Sequence, residues 1–166
     1  IGLDHLLVER LDEDTVLLNA GCLCCTVRGD LVKALRELAV KIEQGRPIRR
    51  VAIETTGLAD PAPILMTLMS DPVVLRAYRL DGVTTLVDAV NGAATLDAQP
   101  EAVKQAAVAD RLVLTKADIA TPELAASLES RLRMLNPGAP LLRAVQGAIE
   151  PDALLGAAPF DPGAKT

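Results

Sequence analysis

The chain has 166 residues, half of them apolar, and its 22 acidic and 17 basic side chains leave a net charge of −5. This length fits one α/β domain with a sizeable core. One Tyr, one Phe and no Trp leave that core to Leu, Val, Ile and Ala. An acidic balance without a basic run argues against nucleic acid and anionic membranes as partners. Since no apolar stretch approaches the length of a membrane span, we expect a cytoplasmic protein.

The first predicted elements surround a cluster of cysteines. An apolar run at 15–18 predicts a strand, and Cys22, Cys24 and Cys25 follow it within four consecutive positions. Apolar residues then recur at helical spacing over 31–42, which predicts a helix that buries one face against a sheet.

The cysteine cluster has three chemical interpretations. Thiolates are soft ligands that favour zinc and related ions, and three of them in one turn fill most of a tetrahedral shell. The following helix favours thiolate over thiol through its dipole, and Arg28 adds positive charge, which suits a redox disulfide as well as a metal. Packing as small apolar residues is the third interpretation. Close spacing in a reducing compartment favours metal, and His5, the only histidine, is the remaining candidate ligand although a lone His is more often a packing or surface residue.

A second apolar run, at 50–57, predicts a short strand that ends in a carboxylate and a turn. In parallel α/β sheets ligands lie beyond the carboxyl ends of strands, so Glu54 lies where chemistry is expected. Gly57 would let the backbone approach a ligand closely, because it has no Cβ. An ordinary strand end with a solvated Glu is the alternative.

The rest of the chain alternates helices and strands. Asp60 and Pro61 cap a helix whose predicted buried face is Leu65, Leu68 and Met69. The patterns then predict a helix at 72–78, a buried parallel strand at 82–88, a helix at 100–109, a strand at 111–114, a helix from Thr121–Pro122 to Asn136, a strand at 140–145 and a helical turn at 152–155. Such alternation implies right-handed crossovers and a three-layer α/β fold, with a mainly parallel sheet and helices on both faces.

The tetrapeptide Thr115-Lys116-Ala117-Asp118 directly follows one of these strands. Its carboxylate can accept two hydrogen bonds from the N1–H and exocyclic amine of guanine, a pattern that adenine does not present. The Lys stem can lie along the base. A string of this kind often consists only of polar surface residues. Its position supports a nucleotide-binding role, because it lies one strand-helix-strand passage after Asp88, an acid that could hold a Mg²⁺-bound water.

Five segments carry a resemblance to known proteins. They are Gly-Cys-Leu-Cys-Cys-Thr-Val-Arg-Gly-Asp-Leu at 21–31, Ile-Glu-Thr-Thr-Gly-Leu-Ala-Asp-Pro at 53–61, Val-Asp-Ala at 87–89, Thr-Lys-Ala-Asp at 115–118 and Leu-Asn-Pro-Gly-Ala-Pro at 135–140. Together they resemble the CobW-type GTPase family of metal-trafficking proteins, over essentially the whole chain. The resemblance implies a P-loop NTPase-like fold.

The resemblance also implies a function. It is that of a GTP-dependent metallochaperone that delivers a zinc- or cobalt-class ion to a client metalloprotein or to cobalamin synthesis, in an assembly that can be a homo-oligomer. Cys22, Cys24 and Cys25 match the family's metal-binding Cys-x-Cys-Cys.

The resemblance also implies nucleotide-binding roles for residues of this chain. Glu54 matches the glutamate near Mg²⁺, and Gly57 matches the glycine whose amide senses the γ-phosphate of GTP. Thr115, Lys116 and Asp118 match the guanine-reading motif, with Thr where Asn is commoner.

One family motif is not found in the sequence. A P-loop, Gly-x-x-x-x-Gly-Lys-Ser/Thr, would supply an amide cradle, a phosphate-binding lysine and a Mg²⁺ ligand, and no such string occurs. We therefore expect an N-terminally truncated GTPase domain at 1–158 that hydrolyses GTP negligibly by itself, and a linker toward a C-terminal domain at 159–166. The alternative is a non-catalytic zinc-binding module or a redox module that uses the cysteine loop.

Overall fold

A computed structural model describes residues 26–156, with side chains from residue 29 onward. The elements in chain order are α1 (Thr26–Glu43), α2 (Pro61–Ser70), α3 (Pro72–Ala77), β1 (Thr84–Asp88), α4 (Gly92–Ala98), α5 (Pro100–Val108), β2 (Arg111–Thr115), α6 (Pro122–Leu135), β3 (Leu141–Ala144) and α7 (Pro151–Leu154). Within this range no helix has the length and apolar character needed to cross a bilayer. The predicted boundary at 158 and the predicted linker lie outside the described residues.

Short-range sequence signals set the helix ends as predicted. The Asp60 carboxylate accepts a hydrogen bond from the Ala62 N–H at 3.0 Å and starts α2. The Thr121 hydroxyl does the same for α6, accepting from the Leu124 N–H at 3.3 Å. Each cap precedes a proline in the first turn, where the missing N–H costs nothing. After α1, Gly45 has a φ of +94°, the left-handed backbone that commonly ends a helix.

The three described strands form a parallel sheet in the order β1-β2-β3. Thr84 pairs with Arg111 at the start of β1, and Leu112 pairs with Leu141 at the start of β3. The connections run through α4 and α5 and then through α6. The predicted strand-helix alternation and parallel pairing are therefore confirmed over this part of the chain.

The main core lies between the sheet and the helices α4, α5 and α6. It is built from aliphatic side chains, as the lack of aromatic residues predicts: Val87, Leu96, Ala106, Leu112, Leu114, Leu128 and Leu132 are all buried. On β2, Val113 points to the opposite face from Leu112 and Leu114, and it is only 1% exposed. The central strand is thus covered on both faces, which confirms the three-layer α/β fold.

A second cluster joins the first three helices. Leu31 and Leu35 of α1 pack with Val74 of α3, and the partly buried Leu68 of α2 packs against them. The Tyr78 hydroxyl donates a hydrogen bond to the Leu35 carbonyl at 2.8 Å. Helix α1 is therefore fastened to α2 and α3.

The predicted inner face of α2 is partly wrong. Met69 is 49% exposed, and the side chain that is buried is Thr67. Its hydroxyl donates to the Pro63 carbonyl at 2.8 Å, one turn earlier in the helix. That bond satisfies the only polar atom of Thr67, so the small side chain can face inward.

The strand predicted at 50–57 is not observed. Residues 51–56 take no helix or strand structure, and Val51 and Ile53 are 37% and 38% exposed. An extended segment becomes a strand only when its backbone pairs with a neighbour. No described strand pairs with this segment, and the strand predicted at 15–18 lies outside the described residues.

The strand predicted at 82–88 is observed as β1, but it is not buried as predicted. Leu86 is 67% exposed, although its register partner Val113 is 1% exposed. Among the described residues β1 is an edge strand, so only its inner edge and one face are covered.

Candidate functional site

Two strand ends meet at one edge of the sheet. β1 and β2 are parallel, and Asp88 at the end of β1 is in register with Thr115 at the end of β2. The Thr115 hydroxyl donates a hydrogen bond to the Val87 carbonyl at 3.3 Å. This edge is where parallel α/β sheets bind ligands.

A sharp turn follows β2. Lys116 has a φ of +57°, a left-handed conformation that is uncommon outside glycine and often marks functional sites. Its carbonyl accepts hydrogen bonds from the N–H groups of Ile119 and Ala120, both at 3.2 Å. The turn presents Asp118 to solvent.

The Asp88 carboxylate is fully engaged at this edge. One oxygen accepts from the Val90 N–H at 2.8 Å and the Asn91 N–H at 3.1 Å. The other accepts from the Asn91 side-chain amide at 3.2 Å and from the Lys116 ammonium at 2.7 Å. A carboxylate offers about four lone-pair sites. Since all are used, Asp88 orients Lys116 and the start of α4, and the prediction that it holds a Mg²⁺-bound water does not fit this arrangement.

The same contacts keep Asp88 ionised. Burial raises the pKa of its carboxyl, but the hydrogen bonds from Lys116, Val90 and Asn91 outweigh it and lower the pKa to about 2. The side chains of Asp88 and Lys116 are 25% and 56% exposed, so solvent screens the ion pair. Its main effect is to position the lysine.

Asp118 differs from Asp88 in having no partner among the described residues. Its side chain is exposed, and within residues 26–156 its carboxylate makes no hydrogen bond or ion pair. Both oxygens are therefore available, as recognition of two adjacent N–H donors on one ligand requires. Thr115, Lys116 and Asp118 lie together in one loop and fit the predicted guanine site.

The other predicted residues lie on a separate segment. Glu54 is exposed, and its carboxylate contacts no described polar group. The Thr56 carbonyl accepts a hydrogen bond from the Ala59 N–H at 3.0 Å, closing a turn that contains Gly57. A Cβ added to Gly57 would meet nothing within 4 Å, so packing among the described residues does not explain a glycine there.

Two residues of α5, missed by the sequence analysis, hold this segment. The Gln105 amide donates to the Ala59 carbonyl at 2.8 Å, and the Lys104 ammonium lies 2.6 Å from the Asp60 carboxylate. The ion pair lowers the pKa of Asp60 and raises the pKa of Lys104. A glutamine and a lysine in the middle of a helix carry no local signal for such contacts.

The predicted metal ligands Cys22, Cys24 and Cys25 lie outside the described residues. The described part of the helix predicted after the cysteines is α1, Thr26–Glu43, and Thr26 follows Cys25 in the sequence. In the range 26–156 no cluster of three His, Cys, Asp or Glu residues suits a metal ion. The metal site remains a prediction that rests on the three cysteines.

Several known proteins are similar to this chain. The profile of the family "CobW/HypB/UreG, nucleotide-binding domain" matches residues 1–143. The zinc chaperone YjiA of Escherichia coli is 38% identical over 148 residues, which are 89% of this chain and 46% of that protein. The zinc-regulated GTPase metalloprotein activator 1 of Schizosaccharomyces pombe is 32% identical over 143 residues, or 86% of this chain and 34% of that protein.

A solved structure gives the same result. The crystal structure of Zn(II)-bound YjiA GTPase from E. coli superposes with a TM-score of 0.72 at 37% identity, covering 79% of this chain and 41% of that one. The chain thus spans less than half the length of these relatives. The profile match, the sequence identities and the superposition together show that the chain belongs to the CobW/HypB/UreG family of nucleotide-binding domains.

Proposed function

We propose that the protein containing this chain is a GTP-dependent metallochaperone that carries zinc to a client metalloprotein. The observation that carries the proposal is the loop after β2. There the Asp118 carboxylate has no partner within residues 26–156 and Asp88 orients Lys116, in a chain whose sequence also holds three closely spaced cysteines. The names of the relatives support it, because one is a zinc chaperone and another a zinc-regulated GTPase metalloprotein activator.

In this proposal the loop after β2 binds the guanine base. Asp118 accepts hydrogen bonds from the N1–H and exocyclic amine of the base. Asp88 keeps the Lys116 ammonium in place, so the aliphatic part of the lysine side chain is positioned to pack on the plane of the base. Thr115 is held by its bond to Val87, which limits movement of the loop.

The phosphate-responsive segment is the turn at 56–59. Gly57 would offer its amide N–H to the terminal phosphate, and Glu54 is the carboxylate that would hold Mg²⁺. When bound, Mg²⁺ neutralises phosphate charge. Both residues are exposed. The Glu54 carboxylate makes no described polar contact, and no described hydrogen bond uses the Gly57 N–H, so both groups are available for these roles.

A packed route leads from the turn to α1, the helix that follows the cysteines in the sequence. The turn runs directly into α2 at Asp60, and the Leu68 side chain of α2 packs on the cluster that contains Leu31 and Leu35 of α1. The Arg36–Asp71 ion pair of 3.8 Å adds a second contact between α1 and the start of α3. Movement of the turn on GTP hydrolysis would displace α2 and, through it, α1, which follows the cysteines in the sequence.

Displacement of α1 would alter a site made of thiolates. The helix dipole favours the ionised form of cysteines at its N-terminus, so a shift of the helix weakens the ligands. With only three protein thiolates the ion keeps an open position for an incoming client ligand. Zn²⁺ and Co²⁺ are both compatible with such a site. We place the protein in the cytoplasm, where thiols stay reduced, and include self-association in the proposal.

Reciprocal variants of the intact protein test this proposal. Replacing Cys22, Cys24 and Cys25 together by Ser should abolish zinc retention, measured by elemental analysis after purification without chelator, and leave GTP affinity unchanged. Asp118→Ala should weaken GTP binding and keep the zinc. Loss of both properties in both variants would contradict separate sites, and absence of GTP turnover in the wild type would overturn the proposal.

A further inference from the structure

The side-chain amide of Gln105 contacts the turn at 56–59 from α5. Its nitrogen lies 2.8 Å from the Ala59 carbonyl oxygen and 3.4 Å from the carbonyl oxygens of Thr56 and Gly57. A glutamine amide has two N–H groups. The amide can therefore bond Ala59 and still offer a second N–H toward the two more distant carbonyls.

The surroundings of this amide determine how it is oriented. All three neighbouring groups are acceptors, so the nitrogen must face the turn, since the amide oxygen there would be repelled. The bonds use carbonyl oxygens only and leave the Gly57 N–H untouched. The Thr56 oxygen also accepts the Ala59 N–H at 3.0 Å, so Gln105 reinforces the bond that closes the turn.

The neighbouring residue holds the next part of the segment. Lys104 pairs with Asp60 at 2.6 Å, and Asp60 caps α2. Both side chains are partly exposed, at 54% and 33%, and such pairs contribute little to stability. The neutral, partly buried contact of Gln105 with Ala59 is therefore the main link between α5 and the turn.

Gln105 acts from a rigid support. Its backbone carbonyl accepts the Thr85 hydroxyl of β1 at 2.8 Å. The Asn136 amide donates to the Ala106 carbonyl at 2.9 Å and to the Ala109 carbonyl at 2.8 Å, so the last turn of α5 is fastened on two sides. Helix carbonyls at this end have no partner within the helix, and here other elements satisfy them. The amide of Gln105 is thus presented from a fixed position beside the sheet.

We propose that Gln105 is a positioning residue for GTP hydrolysis, a role that rests on the function proposed above. By holding the three carbonyls of the turn, it keeps the Gly57 N–H in place for the terminal phosphate. GDP lacks that phosphate, so binding of GDP does not depend on the turn. Loss of Gln105 therefore impairs turnover and recognition of the triphosphate and spares the diphosphate.

The test compares Gln105→Glu and Gln105→Ala with wild type in the intact protein. Glu keeps the size of Gln but places a carboxylate against the three carbonyls, and Ala removes the contact. Gln99→Ala is the control, because Gln99 lies at the start of the same helix and makes no side-chain cap bond. For both Gln105 variants kcat for GTP should fall about tenfold, and affinity for a non-hydrolysable GTP analogue relative to GDP should fall similarly, since one hydrogen bond changes an equilibrium by up to about tenfold.

Hydrogen exchange supplies a second readout. The Ala59 amide should exchange faster in Gln105→Glu, whereas amides of α6 should keep the wild-type rate. If both variants bind GDP as weakly as the GTP analogue, Gln105 is merely structural and the inference is overturned. Wild-type kcat in both variants would also overturn it, and would leave the proposed function intact. Absence of turnover in the wild-type protein would instead overturn the proposed function, and this inference with it.

Discussion

The ammonium group of Lys116 lies 2.7 Å from the carboxylate of Asp88, across 28 positions of the chain. The pair joins the ends of two neighbouring parallel strands, and the left-handed backbone of Lys116 turns the chain sharply at that point. Asp88 is in turn held by the two backbone N–H groups that follow it. The lysine of the candidate guanine site is therefore positioned before any ligand binds.

The depressed pKa of Asp88 predicts a loss of stability in acid. Its folded-state pKa of about 2 lies below the ordinary value of 3.8, so its contribution is complete above pH 4 and disappears as the pH falls toward 2. We expect this contribution to be about 1 kcal/mol after solvent screening. Urea unfolding of wild type and Asp88→Asn at pH 6 and at about pH 1.5 measures it. The two proteins should differ at pH 6 and converge below pH 2, and a constant difference would contradict the assignment.

Asp118→Asn should change base selectivity in the intact protein. The carboxylate suits the two N–H donors of guanine, whereas an amide presents one acceptor and one donor and suits xanthine, which carries a carbonyl at that edge. We expect preference to shift from GTP to XTP by about 100-fold or more. Competition binding with both nucleotides measures the shift. Asp97→Asn, on the exposed surface of α4, is the control and should keep the wild-type preference. Unchanged selectivity in Asp118→Asn would remove Asp118 from the base site.

Asn136→Leu should destabilise the protein. The amide is 6% exposed and donates to carbonyls at the end of α5, including Ala106 and Ala109. Leu has the same branched shape and the same number of side-chain heavy atoms, although it is bulkier, and it leaves those buried oxygens without a donor, which costs about 1–3 kcal/mol. Chemical denaturation measures the loss. Ser130→Ala, at an exposed position of α6, should change the free energy of unfolding by less than about 0.5 kcal/mol.

Gly92→Ala should also be destabilising, for a steric reason. A Cβ at Gly92 would lie 2.8 Å from a methyl carbon of Val87 and 2.9 Å from one of Leu128, and both side chains belong to the main core. Overpacking of this kind costs about 1–3 kcal/mol. Gly138→Ala, where only one atom lies within 4 Å, is the matched control. Equal melting temperatures for the two variants would contradict the prediction, because they would show that the Val87 and Leu128 side chains can move to accommodate the extra methyl group.

Sequence patterns predicted the elements that depend on local chemistry. The caps at Asp60 and Thr121, the helix after the cysteines and the loop after β2 are all found where the residues indicated. Helix α4 was not predicted, and in the structure its N-cap residue Asn91 makes no side-chain cap bond. Its start is instead held by Asp88, which accepts from the Asn91 N–H and side chain. The metal ligands and the roles of Glu54 and Gly57 stay predictions.

The segment at 50–57 shows what a sequence pattern does not determine. Its apolar run predicts a strand, yet a strand exists only when a neighbouring strand offers a ladder of hydrogen bonds. Whether a neighbour is present is a property of the assembled sheet. Burial of Leu86 depends on the assembled sheet in the same way. The strand pattern predicts that Leu86 is buried, but it is 67% exposed at the open edge of β1.

By itself the amino-acid sequence determined the helix ends, the aliphatic core, the α/β class and the family, because these follow from residue types within a few positions of one another. Only the tertiary structure decided that Asp88 orients Lys116 and that Gln105 holds a turn 46 residues away. Those contacts depend on where packing brings distant backbone groups together, and a polar side chain in the middle of a helix does not indicate which carbonyl it will meet.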